Sequence, residues 1–246
     1  MKDMFPRIVF KKRVLIGFIA IAFLSGGTFL LVTPAAHAQT DASSPTFLIT
    51  WKTTGSYIPS FYIGKALPTY GSQITASLEL VSPQGKILDL SGQTIYWYVN
   101  DTLVGGGVGV QQATFPPIGD APNTANLRVT IPNYNGTYLI HAINIPMVLP
   151  EAVIYAPYPN GQFIENPLTV QAIPYFFNIA DPSGLSYTWS VNGQAGSNAE
   201  NPETAQISLP QGTQSGTSVA ASLSVENPND STVATANANL TYESQL

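Results

Sequence analysis

The sequence predicts an all-β chain of two successive β-sandwiches behind an N-terminal apolar helix. Three observations carry that expectation. Gly and Pro each occur twenty times in 246 residues, and they disfavour long helices because they cost about 1 and about 3 kcal/mol in a helix interior. Apolar and polar residues alternate with period two through much of the chain, the pattern of strands with one buried face. The phrases TIYWYVND (94–101) and LSYTWSVNG (185–193) are near copies, with Trp97 and Trp189 in the same place ninety-two residues apart.

The first element is an export segment, residues 1–38. KKR at 11–13 is a positive leading region, Val14 to Val32 is an uncharged apolar run of nineteen residues, and Ala36-His37-Ala38 is the small-x-small pattern a signal peptidase favours. Cleavage after Ala38 releases a chain starting at Gln39. Retention leaves an anchor, since about 20 apolar residues cross a bilayer. In either case positive-inside logic keeps KKR in the cytoplasm and sends the remainder out.

Residues 39–46 read as a polar linker, 47–149 as the first sandwich and 150–246 as the second. In the first, FLITWKT (47–53), ITASLELV (74–81), KILDL (86–90), IYWYV (95–99), LRVTI (127–131) and TYLIHAINI (137–145) read as strands. SPQG and PNYNG are turns, and NDTLVGGGVGV (100–110) is a turn with a glycine-rich return. The second repeats the plan. AVIYA (152–156), LTVQAIPYFF (168–177), YTWSV (187–191), SVAASLSV (218–225) and TVATANANLTY are strands, separated by YPNGQ, DPSG, Asn192-Gly193, a long polar loop and ENPNDS. Each unit has about 100 residues, the size of one small sandwich. Trp97 and Trp189 are expected to anchor two separate cores.

YTWSVNG followed by TSVAASLSVENPNDSTVATANANLTY resembles PKD-like and other bacterial immunoglobulin-like (Ig-like) domains, and IYWYVND resembles the same strand in the first unit. PKD domains continue Trp-x-Phe-Gly-Asp-Gly, whereas Trp189 is followed by Ser190-Val191-Asn192-Gly193, so the resemblance is to the broader Ig-like class. It implies two tandem Ig-like sandwiches on an exported protein. NGTYLI (135–140) also resembles the tyrosine corner of Ig domains, with Ile140 where a disulfide cysteine would stand. That reading makes 137–145 the penultimate strand of its sandwich, and the repeat makes it the last.

Composition excludes several chemistries. The absence of cysteine removes disulfides, thiolate metal sites and Cys nucleophiles. From Gln39 onward four bases (Lys52, Lys65, Lys86, Arg128) face thirteen acids, a balance that repels phosphate backbones and argues against nucleic acid. The acids sit mostly in turns (Asp101, Asp120, Asp181, Glu200, Glu203, Asp230), where Asp bonds its own backbone, and no Asp-x-Asp-x-Asp run suggests calcium. His141 stands mid-strand without a nucleophile phrase beside it and reads as a packed or edge histidine. Gly105–Gly109 lacks the Lys-Ser/Thr of a phosphate loop and reads as a bulge or positive-φ segment. No cofactor, metal site or catalytic group is expected.

Aromatic residues are the candidate binding surface. Tyr57, Phe61, Tyr62 and Tyr70 lie in a turn-rich stretch (55–71), with Tyr155, Tyr158, Phe163, Tyr175, Phe176 and Phe177 further on. Amphipathic rings suit protein or sugar contacts, and YAPYP (155–159) is expected to pack between the two sandwiches. The expected role is a non-catalytic envelope or surface protein whose partner is a protein or glycan of the envelope, joined to the membrane by residues 1–38 if these are retained. The alternative is a carbohydrate-binding module or an accessory domain of a surface enzyme.

Overall fold

The structure is a computed structural model that describes residues 44–119, 121–158, 160–196 and 201–244. The export segment and most of the linker lie outside the described residues, as do Asp120 and Glu200. Within them the chain is all β. The first half runs β1 (Thr46–Thr54), β2 (Gln73–Val81), β3 (Thr94–Val99), β4 (Thr102–Val108), β5 (Gln112–Phe115), β6 (Asn123–Tyr134) and β7 (Thr137–Met147). The second runs β8 (Glu151–Tyr155), β9 (Gln162–Phe163), β10 (Leu168–Tyr175), β11 (Ser186–Val191), β12 (Gln194–Ala195), β13 (Thr204–Ile207), β14 (Thr217–Asn227) and β15 (Thr232–Tyr242).

The strands form four sheets. In the first half β1-β2-β5 faces β4-β3-β6-β7, and in the second β8-β10-β13 faces β12-β11-β14-β15-β9. Setting β9 aside, the order is the same twice: first, second and fifth strands in one sheet, then fourth, third, sixth and seventh in the other. Two antiparallel sheets of seven strands connected in this way form an Ig-like β-sandwich.

Alternation decides which side of each strand is buried. In β2, Ile74, Ala76, Leu78 and Leu80 point inward, and β6 adds Ala125, Leu127, Val129 and Ile131 from the opposite sheet. These residues and their neighbours make one buried cluster. A second cluster gathers Leu168, Val170 and Ala172 of β10 against Val219, Ala221, Leu223 and Val225 of β14. Burying each such side chain contributes about 1.5–3 kcal/mol.

Trp97 and Trp189 sit at equivalent places in the two clusters, 0% and 2% exposed. A buried indole must satisfy its N–H. Trp97 Nε1 donates to the Val110 carbonyl at 2.9 Å and Trp189 Nε1 to the Pro202 carbonyl at 3.1 Å, each thirteen residues onward. Both acceptors lie just before the fifth strand of the facing sheet, so each indole ties one sheet to the other.

The turns that follow also match. Asn100-Asp101 and Asn192-Gly193 all take positive φ (46°, 65°, 50° and 77°), the two-residue hairpin turn that suits the twist of antiparallel strands. Asn100 Oδ1 then accepts from Asn126 N at 2.9 Å, and Asn192 Oδ1 from Ala220 N at 2.8 Å. After the first turn the glycine run 105–109 forms most of the return strand. Its pairing shifts between Trp97 and Tyr98, and a methyl on Gly106 would lie 2.5 Å from Tyr96 Cδ1.

KILDL and the long polar loop differ from expectation, and the other segments are placed more closely. KILDL is not a strand: Ile87 makes one isolated bridge to Val81. Asp89 instead closes a local turn, accepting from Ser91 N at 2.9 Å and Ser91 Oγ at 3.0 Å, which competes with ladder bonding. DPSG is a short 3-10 turn, Pro182–Gly184, capped by Asp181. The long polar loop of the second half contains β13, whose Ala205 and Ile207 are buried. Thr137–Met147 pairs with β6 on one side and lies at the sheet's edge, the seventh position in the order. His141 is exposed on that strand and stacks on Phe47 of β1, ring centroids 5.4 Å apart.

One ion pair is present among the described residues, Arg128 Nη2 to Asp101 Oδ1 at 2.9 Å. Arg128 also lies over the Tyr98 ring, 4.7 Å from its centroid.

Trp97→Ala and Trp189→Ala should each cost about 3–5 kcal/mol, measured by denaturant unfolding. Trp97→Phe, which leaves the Val110 carbonyl without its donor, should cost about 1–3 kcal/mol. Because the two indoles sit in separate clusters, the double variant should add to within about 0.5 kcal/mol.

Candidate functional site

The four aromatic residues singled out in the sequence lie between β1 and β2, in a connection punctuated by Gly55, Pro59, Gly64, Pro68 and Gly71. A hydroxyl turn fixes its end: buried Ser72 donates from Oγ to the Thr69 carbonyl at 2.7 Å and accepts from Thr69 N at 3.1 Å. Ser56 Oγ donates to the Leu67 carbonyl at 2.6 Å. Lys65 folds back so that Nζ stands 3.4 Å from the centroid of the Trp51 ring. Partial burial there pushes the Lys65 amine below its ordinary value.

This connection docks on the second half. Tyr57 N donates to the Phe177 carbonyl at 2.8 Å, and Phe176 N donates to the Tyr57 carbonyl at 2.6 Å, a two-way backbone exchange. Val148 N, in the link between halves, donates to the Pro68 carbonyl at 2.9 Å. The Asn178 side chain wedges between Gly55 and Gly71. A methyl on Gly55 would sit 2.7 Å from its Oδ1, and one on Gly71 2.3 Å from its Nδ2. Both glycines have positive φ, 71° and 78°, so they supply the turn and the clearance together.

The four candidates therefore separate into two groups. Tyr57 and Tyr62 are half-buried at the junction, Tyr62 with its ring 5.7 Å from Tyr175 and 6.0 Å from Phe176. Phe61 and Tyr70 are 64% and 69% exposed. Tyr70 lines the rim of a cavity of about 520 Å³ with Pro116, Pro117, Ala121, Met147 and Leu149. Ile63 stands fully exposed beside Phe61.

YAPYP is not the junction. Tyr155 is 52% exposed. Tyr158 packs on Phe163 of its own half and donates from its hydroxyl to Glu165 Oε2 at 2.5 Å. That bond, with burial second, pushes the Tyr158 hydroxyl up to about 12. The reason is local: β9, just beyond, pairs in parallel with the end of β15 and holds the segment against the second cluster.

Acidic groups surround the junction tyrosines. Burial first, then Glu203 and Asp181, push the Tyr57 hydroxyl up. Burial first, then Glu203, Tyr57 and Asp181, push Tyr187 up further, and its hydroxyl donates to the Pro182 carbonyl at 3.0 Å. No three His, Asp or Glu side chains come together among the described residues. Asn178 escaped the sequence reading because nothing local distinguishes a wedge asparagine from a turn asparagine.

No protein-family model matches the chain, and no curated protein matches it. Among solved structures it is similar to the fibronectin(III)-like modules of Clostridium thermocellum CbhA, at 15% identity and TM-score 0.29, over 80% of this chain and 94% of that one. It is similar to the three N-terminal domains of the bacteriophage RB49 highly immunogenic outer capsid protein (12% identity, TM-score 0.39, 80% of this chain and 59% of that one). It is also similar to the Bacteroides ovatus glucan-utilization protein SGBP-B, solved with a mixed-linkage heptasaccharide (10% identity, TM-score 0.22, 83% and 65%). The Ig-like fold rests on the strand order described above.

Gly71→Ala should destabilise more than Gly85→Ala. The two glycines share φ 78°, but nothing lies within 4 Å of the methyl at Gly85. Gly85→Ala should cost about 1–2 kcal/mol, Gly71→Ala about 1–3 kcal/mol more, and Asn178→Ala should erase that difference in denaturant unfolding. For Tyr187 the raised folded value means the unfolded chain loses the proton first. Its contribution is full below the ordinary value of 10.0 and declines as pH rises above it. Unfolding curves from neutral pH to about pH 11 should show that decline, and Tyr187→Phe should lessen it, with Tyr57 and Tyr158 supplying the remainder, while costing about 1 kcal/mol at neutral pH.

Proposed function

We propose that the chain is an exported, non-catalytic protein of the cell envelope in which two tandem Ig-like domains, residues 47–149 and 150–246, display an interaction surface on a fixed junction. The carrying observation is the connection between β1 and β2. Its backbone is bonded to Phe176 and Phe177, while Phe61, Ile63 and Tyr70 on the same connection stay exposed. A rigidly held loop with exposed apolar side chains is a means of presenting contacts at low entropic cost. Export is supported by residues 1–38 of the sequence.

The partner class that fits is a protein or glycan of the envelope. A glycan reading centres on Tyr70, whose exposed ring borders the 520 Å³ cavity, rather than on Tyr57 and Tyr62, which are engaged at the junction.

Cells producing the full chain should carry it in the envelope fraction, and the tagged chain should retain an envelope component. Phe61→Ala and Tyr70→Ala should each weaken that retention by about 1–2 kcal/mol without lowering the melting temperature. Cytoplasmic accumulation of the chain, or hydrolytic turnover abolished by His141→Ala, would overturn the proposal.

A further inference from the structure

Three aromatic rings meet at one corner of the junction. Tyr62 comes from the first half, Tyr175 from the last position of β10 and Phe176 from the residue after it. Their centroids are 5.7, 6.0 and 6.1 Å apart and their planes are inclined at 67°, 86° and 43°, so no pair is stacked face to face. Phe176 is 7% exposed and lies at the base of the corner, whereas Tyr62 and Tyr175 are half-buried and keep part of their rings open to solvent. Adjacent residues on a strand point to opposite faces. Phe176 departs from that rule because its φ is 59°, a sparsely populated conformation for a bulky residue. The hydrogen bond from Phe176 N to the Tyr57 carbonyl holds it there.

A carboxylate completes the corner. Glu151 is the register partner of Tyr175 across β8 and β10, which places their Cβ atoms about 5 Å apart. Tyr62, Glu151, Val153, Tyr175 and Phe176 together line a cavity of about 280 Å³. Glu151 is exposed and has no ion-pair partner among the described residues, where Arg128 is engaged with Asp101. Lys65 is engaged with Trp51.

We propose that this corner binds a quaternary ammonium group. Aromatic faces attract a cation through their quadrupole, most strongly when it is desolvated. The negative charge of Glu151 adds to that attraction, and the excess of acids over bases from Gln39 onward draws cations in. A primary ammonium is the poorer fit. It is strongly hydrated and brings three N–H donors, whereas Glu151 is the single charged acceptor in the lining. A trimethylammonium carries no N–H, and its methyls match rings and valine. The site is distinct from the exposed Phe61 and Tyr70, and it stands whether or not the display role does.

The test is calorimetric titration of the full chain in maltoside micelles with choline, with ethanolamine, and with the neutral isostere of choline in which carbon replaces the nitrogen. Choline should bind saturably, about tenfold or more tighter than either control. Glu151→Gln, at an exposed position, should weaken choline about fivefold, leaving the neutral isostere and the melting temperature unchanged. Tyr62→Leu should weaken choline while keeping apolar packing. If that variant loosens the junction, Glu151→Gln still decides. A parallel titration with phosphocholine identifies the source: tighter binding than choline points to a headgroup, weaker binding to a free or non-phosphorylated ammonium. Absence of saturation by choline, equal affinity for choline and its neutral isostere, or undiminished choline affinity in Glu151→Gln would overturn the proposal.

Discussion

The buried indole of the third strand is the interaction on which each sandwich depends. The chain has no cysteine, so no covalent bridge can join facing sheets. Trp97 and Trp189 do it with one side chain each. The ring fills the middle of the cluster, and its N–H reaches a carbonyl on the chain entering the facing sheet. An apolar residue of the same volume would fill the space without fixing that crossing. With the third strand placed, the asparagine turn after it and the sixth strand beside it follow, because Asn100 and Asn192 each bond the neighbouring backbone.

Much of this was legible in the sequence because it depends on local chemistry. Trp strands, Val-Asn turns and period-two alternation are written in adjacent residues, and they marked β2, β3, β6, β11, β14 and β15. The four-residue strands β5 and β13 were missed as strands, although QATF and TAQI carry the same buried small-then-large pair, Ala113 with Phe115 and Ala205 with Ile207. KILDL misled because a short apolar run directly follows the SPQG turn, whereas Asp89 had a bond available two residues away. For the candidate surface, ring type and turn content singled out the connection between β1 and β2. They could not divide it, since what draws Tyr57 and Tyr62 inward lies more than a hundred residues onward, at Tyr175 to Asn178.

The two halves differ most in the connection between their first and second strands. In the second half that connection includes β9, whose residues pair with Thr241 and Tyr242 and so cover part of the β15 edge. In the first half the corresponding connection meets the end of β7 through the Val148–Pro68 bond and docks on Phe176 and Phe177. The same position in the strand order thus seals an edge in one copy and makes a joint in the other. The aromatic corner beside Glu151 takes Tyr62 from that docked connection. Its rings come from both halves, so the site forms and dissolves with the joint.

The pairing of Arg128 with Asp101 stands alone among the described residues. Sheets, turns and joint are otherwise held by backbone and side-chain hydrogen bonds, several of them to turn carboxylates such as Asp89 and Asp181, and by apolar contact, with Lys65 over Trp51 and Arg128 over Tyr98. Surface ion pairs weaken as dissolved ions shorten the Debye length, from about 30 Å at 0.01 M to about 3 Å at 1 M. The thirteen acids that face four bases from Gln39 onward repel one another, and dissolved ions screen that repulsion too, so added electrolyte relieves more self-repulsion than it removes ion pairing.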